Sequence, residues 1–288
     1  MSFKISLGAT LSAAVFFSPV SHALLVTPNT DAGDLIDALL TGGAGIDASS
    51  VSATLSSQSS ADAVSSGTYT NDSGTYGIGP GIIFSSGDVS DYSDGPNDVD
   101  DNTTVFDVPA TAAQEDLLDP ITGDLLDHYD VTQLDVSFDM LPGFDTVFFN
   151  VVFGSEEFDD FLGSGFIDAF GLYVNATNIA FVDGQPVNID HPDMGFESGT
   201  ELNGILGGAD DGFGPLVHTF SSPVDPTGNL LTFIIADSSD PLLDSTVYIS
   251  QLGGSTPPTP NPAPATIALV ALGLAGMGFG YRRHKQHS

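Results

Sequence analysis

The chain has 288 residues, 41% of them apolar, and sets 38 acids against four Lys and Arg, for a formal net charge of -34. That apolar share supports a packed core, so the charge does not imply wholesale disorder. Cysteine is absent, which excludes disulfides, thiol nucleophiles and Cys-ligated metals, and the shortage of positive charge excludes a nucleic-acid partner.

The basic residues are Lys4, Arg282, Arg283 and Lys285, and all 38 acids, 5 Glu and 33 Asp, lie between Lys4 and Arg282. The body of the protein therefore has no strong cation of its own. Its carboxylates must be solvated, hydrogen-bonded, protonated or neutralised by bound metal ions.

Residues 1–23 read as a secretory signal peptide: Lys4, then an apolar run over 5–17, then Ser21-His22-Ala23 as a small-x-small cleavage site. The expected ectodomain is 24–254. Its opening predicts a helix over 30–40, with Leu35, Ile36, Leu39 and Leu40 on one side and Thr30 or Asp31 as cap. Residues 46–55 read as a polar strand, and 77–86 as a Gly-led turn followed by an apolar strand. The Asp-rich stretch 88–102 reads as an exposed loop. A short helix is expected around 114–118, limited by Pro120. Residues 131–138 alternate apolar and polar, as a half-buried strand does. Further strands are expected at 146–153, 167–174, 217–220, 230–235 and 246–249, with a hairpin over 181–189 turning at Asp183-Gly184. Many short strands separated by Gly, Pro and Asp turns predict a mainly β fold, a β-sandwich or jelly roll with one or two short helices.

The C-terminal end is tripartite. Residues 255–264 are Pro-rich and extended. Residues 265–281 form an uncharged run fit for a transmembrane helix. A basic tail over 282–288 places the cytoplasmic side at the terminus. This end resembles the PEP-CTERM sorting signal of Gram-negative bacteria, although Pro262-Ala263-Pro264 carries Ala where that motif has Glu. The resemblance implies an exosortase-type processing enzyme as partner and a transient inner-membrane stage.

Two segments concentrate the chemistry. Glu156, Glu157, Asp159 and Asp160 follow a strong strand, with Asp168 nearby, and Asp237, Asp240 and Asp244 follow another. Such crowding costs Coulomb energy unless something neutralises it. Hard oxygen ligands of this kind suit calcium, so Glu156, Glu157, Asp168, Asp237, Asp240 and Asp244 form the candidate metal set. Structural hydrogen bonds and plain solvation are the competing readings, with Asp240 before Pro241 able to start a turn. His128, His191 and His218 share no metal motif and read as ordinary loop or surface residues.

The same segments carry a family resemblance. Phe153-Gly154-Ser155-Glu156-Glu157-Phe158, the stretch 166–172, and Ile235-Ala236-Asp237-Ser238-Ser239-Asp240 with 243–248 resemble the choice-of-anchor L domain, as do 77–87 and Gly95-Pro96-Asn97. The resemblance implies display at the cell surface and supplies no catalytic residues. The reading that results is an exported, surface-anchored or extracellular-matrix protein without enzymatic activity. It binds cations and associates with acidic exopolysaccharide through shared divalent ions. The alternative is a secreted glycoside hydrolase acting on surface polysaccharide, with Glu156 and Asp237 as its carboxylate pair.

Overall fold

The computed structural model of the chain describes residues 24–256, apart from 42, 94–98, 100, 124 and 125. The expected signal peptide, the transmembrane helix over 265–281, the basic tail and all but the first residues of the Pro-rich linker lie outside the described residues. Among those described, no helix is long and apolar enough to cross a membrane.

The elements run β1 (Leu25–Pro28), α1 (Ala32–Leu39), β2 (Ser52–Ser56), β3 (Ser66–Thr70), β4 (Gly81–Ser85), α2 (Ala112–Thr122), β5 (His128–Phe138), β6 (Thr146–Ser155) and β7 (Ala169–Val174). They continue with β8 (Thr177–Asn178), β9 (Phe181–Val182), β10 (Gln185–Pro186), β11 (Met194–Gly195), β12 (Gly204–Leu206), β13 (His218–Pro223), β14 (Asn229–Ser238) and β15 (Ser245–Ser255). Two antiparallel sheets form most of the body. An eight-stranded sheet runs β1-β3-β4-β15-β6-β12-β11, with β13 also paired to β6, and a five-stranded sheet runs β2-β5-β14-β7-β8.

Period-two alternation explains why the two sheets stack. Ile82 and Phe84 of β4, Phe149, Val151 and Phe153 of β6, and Val247 and Ile249 of β15 share one apolar cluster with Leu134, Val136 and Phe138 of β5, Phe170 and Leu172 of β7, and Leu231, Phe233 and Ile235 of β14. The inward faces of both sheets thus make one core, the arrangement of a β-sandwich. The outward faces are covered in part. Leu118 of α2 packs on Val131, Tyr173, Ile234 and Ala236 of the smaller sheet. Val89 and Tyr92 pack with Ile83, Val152 and Tyr248 on the larger one.

Several local expectations need correction. Within the stretch 46–55 the strand begins only at Ser52, as β2 (Ser52–Ser56), because Asp47 caps a turn by accepting from Ser49 N–H and Oγ–H, and Ile46 makes an isolated bridge to Met140. The stretch 88–102 is not wholly an exposed loop. Asp88 accepts from Ser90 N–H and starts a 3-10 turn that buries Val89 and Tyr92. Helix α2 is longer than expected and runs through Pro120. A capping box between Thr111 and Gln114 secures its start, and the proline falls in the final turn, where few helical bonds remain to lose. The 181–189 hairpin forms as expected, with positive φ at Asp183 and Gly184 in the turn between β9 and β10.

Candidate functional site

The inward-facing rows do not stay apolar along their whole length. At one end of the sandwich each continues, two residues on, into a polar side chain: Phe84 to Ser86, Phe153 to Ser155, Val247 to Ser245, Phe170 to Asp168 and Ile235 to Asp237. All five polar residues are fully buried. Pairing sets these ends level, because Ser155 lies opposite Ser245, Thr246 opposite Ser85, and Ala236 opposite Ala169. The oil-filled core therefore ends in an oxygen-rich layer of hydroxyls and carboxylates.

This layer joins the two sheets. Ser245 Oγ of the larger sheet donates to Asp168 Oδ2 at 2.9 Å. Asp168 Oδ1 accepts from Ser238 N–H of β14 at 2.9 Å. Thr132 Oγ1 of β5 donates to the Ser85 carbonyl at 2.9 Å, and Ser86 Oγ accepts from Ser245 N–H at 2.9 Å. Asp237 sits among these groups, with the Asp168 carboxyl and the Ser86 hydroxyl as its polar neighbours, and neither of its oxygens makes a hydrogen bond of ordinary geometry. Burying an unpaired carboxylate is costly enough that such a group takes up a proton or a metal ion.

Asp244 lies beside the layer. Both its oxygens accept from Thr104 N–H at 3.1 Å. Its main chain is held between the Asn102 carbonyl and Glu156 N–H. Glu157 is buried, with Oε2 unpartnered, and its N–H donates to Ser155 Oγ. Burial pushes the carboxyls of Asp168 and Asp237 well above the usual range, and their like-charged neighbours add to the rise. Burial, reinforced by Asp168 and Asp240, takes Glu157 up to about 9. Burial also takes Asp244 up to about 8, against the lowering effect of its bond from Thr104.

The six expected site residues are thus not gathered equally. Asp168 and Asp237 are in contact, Asp244 adjoins them, and Glu157 approaches from the side of Asp168 and Asp240. Glu156 is equally buried and lies beside Asp244, and the charges of Asp244 and then Glu156 are both felt by Tyr92 on the outer side of the larger sheet. Asp240 is only partly buried and accepts from Leu242 N–H at 3.1 Å, so it builds the turn at Pro241. Sequence reasoning missed the hydroxyls. It also missed Asp130, which is buried and accepts from the N–H groups of Phe106, Asp107 and Val108. Counting by twos outward from each apolar row would have found Ser86, Ser155 and Ser245. The histidines depart from expectation too: His128 and His191 are buried, held by neighbouring polar groups.

The model of the choice-of-anchor L domain matches residues 25–197, more than half of the chain, and the protein belongs to that family. Membership supports an exported, surface-associated bacterial protein without enzymatic activity. The matched stretch holds Glu156, Glu157 and Asp168, while β14 and β15, with Asp237 and Asp244, lie beyond it. No curated protein and no solved structure matches the chain.

Proposed function

We propose that the protein is a non-enzymatic display domain of the bacterial surface or extracellular matrix, and that its buried oxygen layer binds calcium. The single observation that carries the cation is Asp237, fully buried beside Asp168 with neither oxygen in a hydrogen bond of ordinary geometry, in a body that has no Lys or Arg between residues 4 and 282. The donors fit the ion. Asp168, Asp237 and Asp244 supply carboxylates, Ser86 and Ser245 supply hydroxyls, and calcium takes hard oxygens of just these kinds. Glu157 adds a further carboxylate at the flank. The surplus of surface acid attracts more divalent ions, through which the protein associates with acidic exopolysaccharide. Export by residues 1–23 and processing of the C-terminal signal by an exosortase-type enzyme place it there, with a transient stage at the inner membrane.

The hydrolase reading is disfavoured by burial. Glu156 is 2% exposed and Asp237 0%, so a polysaccharide chain has no access to that pair. Unfolding of the purified full chain, followed by calorimetry with calcium or with chelator, tests the proposal. Calcium at about a hundred times its Kd adds about 2.7 kcal/mol, which raises Tm by roughly 5–10 °C in a body of this size. An unchanged Tm at millimolar calcium removes the cation from the proposal and leaves surface display standing.

A further inference from the structure

A second group of ligating side chains lies on the outer face of the smaller sheet, away from the oxygen layer. Glu115 and Asp119 stand one turn apart on α2, and His128 begins β5 beneath them. One ligand atom from each lies within 4.8 Å of the other two. His128 is fully buried, whereas Glu115 and Asp119 are each partly open to solvent. An ion can therefore reach the group from outside while the imidazole holds it from within.

The fold builds this meeting point deliberately at two places. The capping box of Thr111 and Gln114 fixes where α2 starts, and so which of its side chains face the sheet. The pairing of β5 with β14 carries an irregularity between Ile235 and Asp237, opposite Thr132 and Tyr129, and Asp130 there has φ 51. The extra residue in β5 is a bulge, which re-aims the side chains after it. Thr132 bonds inward to the larger sheet, but His128, an even number of residues away, turns outward to α2.

The imidazole is held as a ligand requires. Thr122 Oγ1 lies 2.8 Å from Nε2; without an ion Nδ1 carries a proton and donates it to Glu115, and an ion that takes Nδ1 displaces that proton and leaves Nε2–H to donate to the Thr122 hydroxyl. Nδ1 is 2.5 Å from Glu115 Oε2, and the His128 main-chain N–H donates to Glu115 Oε1 at 3.2 Å. One ring nitrogen facing the ion and the other fixed by a neighbour is the usual arrangement around a ligating histidine. The donor set separates this group from the oxygen layer. Imidazole with carboxylates suits zinc and its first-row neighbours, whereas calcium takes oxygen alone.

We infer that Glu115, Asp119 and His128 form a site for a divalent first-row transition ion, represented by zinc, with a fourth position open to solvent. Insertion of the ion moves the Glu115 carboxylate off Nδ1, a rotation its exposed side of the helix permits. The bound ion then fastens α2 to β5.

The test is titration of the metal-stripped full chain with zinc chloride in millimolar calcium, which keeps the oxygen layer occupied, together with the visible spectrum of the cobalt-substituted protein. One zinc per chain is expected, with a cobalt band that H128Q abolishes. Because His128 is buried and H128Q can fail to fold, Asp119→Asn carries the decision. Its metal-free Tm should match that of the wild type, and its zinc affinity should fall at least tenfold. Asp237→Asn should bind zinc as the wild type does. The inference is overturned by three results: no zinc binding, binding that D119N leaves unchanged, or binding lost in D237N, which would put the ion in the oxygen layer.

Discussion

Asp237 is the residue on which the buried layer turns. Replacing it by Asn keeps the shape and removes a carboxyl whose ionisation burial beside Asp168 opposes. Asp237→Asn should therefore raise Tm in chelator at pH 8 and lose the calcium-dependent rise; a variant that keeps the full calcium effect would show that Asp237 is not a ligand. Gly87 is the second position that the layer dictates. A Cβ there would lie 1.6 Å from Asp244 Oδ2, closer than any contact atoms tolerate. Gly87→Ala must displace the Asp244 carboxylate, and overpacking of this sort costs about 1–3 kcal/mol. Chemical denaturation should show that loss, with a diminished calcium effect if Asp244 is a ligand.

The elements divide by how much of their placement lies within themselves. Helix α1 is local: Asp31 accepts from Gly33 and Asp34 N–H, and Leu35, Ile36 and Leu39 face the core, so both cap and stripe were readable from sequence. Asp31→Ala should cost about 1 kcal/mol in equilibrium unfolding. The central strands β6, β7 and β14 were likewise legible as apolar runs, and Asp183-Gly184 as a turn. The edge of β5 was not. Val131 packs outward under α2 while Leu134 and Val136 pack inward, and the bulge that reconciles them depends on how β14 pairs with β5, which no local pattern encodes. The acids were legible as a dense set but not as a graded one. Asp168 and Asp237 meet only because β7 and β14 are neighbours, whereas Asp240 satisfies itself within its own turn. The roles of Ser86, Ser155 and Ser245 were hidden because serine is frequent along this chain and its burial is set by the partner sheet.

At the scale of the whole molecule the raised carboxyls give a pH dependence with a definite sign. In chelator, the folded protein holds protons on Glu157 up to about 9 and on Asp244 up to about 8, whereas the unfolded chain releases them near pH 4. The folded state is the more protonated between those limits, so the stability these two groups contribute is full below about pH 4 and is lost as pH rises from there through 8 and 9. Calcium competes with those protons, and its stabilising effect should grow over the same interval. Thermal unfolding between pH 5 and 9, with and without calcium, should give two curves that diverge toward alkaline pH; parallel curves would argue against a shared site. Added sodium chloride should also raise Tm in chelator, by screening the repulsion within a body of net charge -34.

The described body ends on β15, which is not an edge strand. Its first half lies between β4 and β6. Near its end Gly253, Gly254 and Ser255 still pair with Phe148, Val147 and Thr146 of β6, while Gly254 N–H reaches the Ala44 carbonyl on the other side. A mechanical pull arriving from beyond Ser255 therefore enters in the middle of the larger sheet. It meets the β6 ladder and the Ala44 bond first, and must then free the first half of the strand from β4 and β6 together. A protein tugged by flow or by adhering material is most resistant when loaded in that direction.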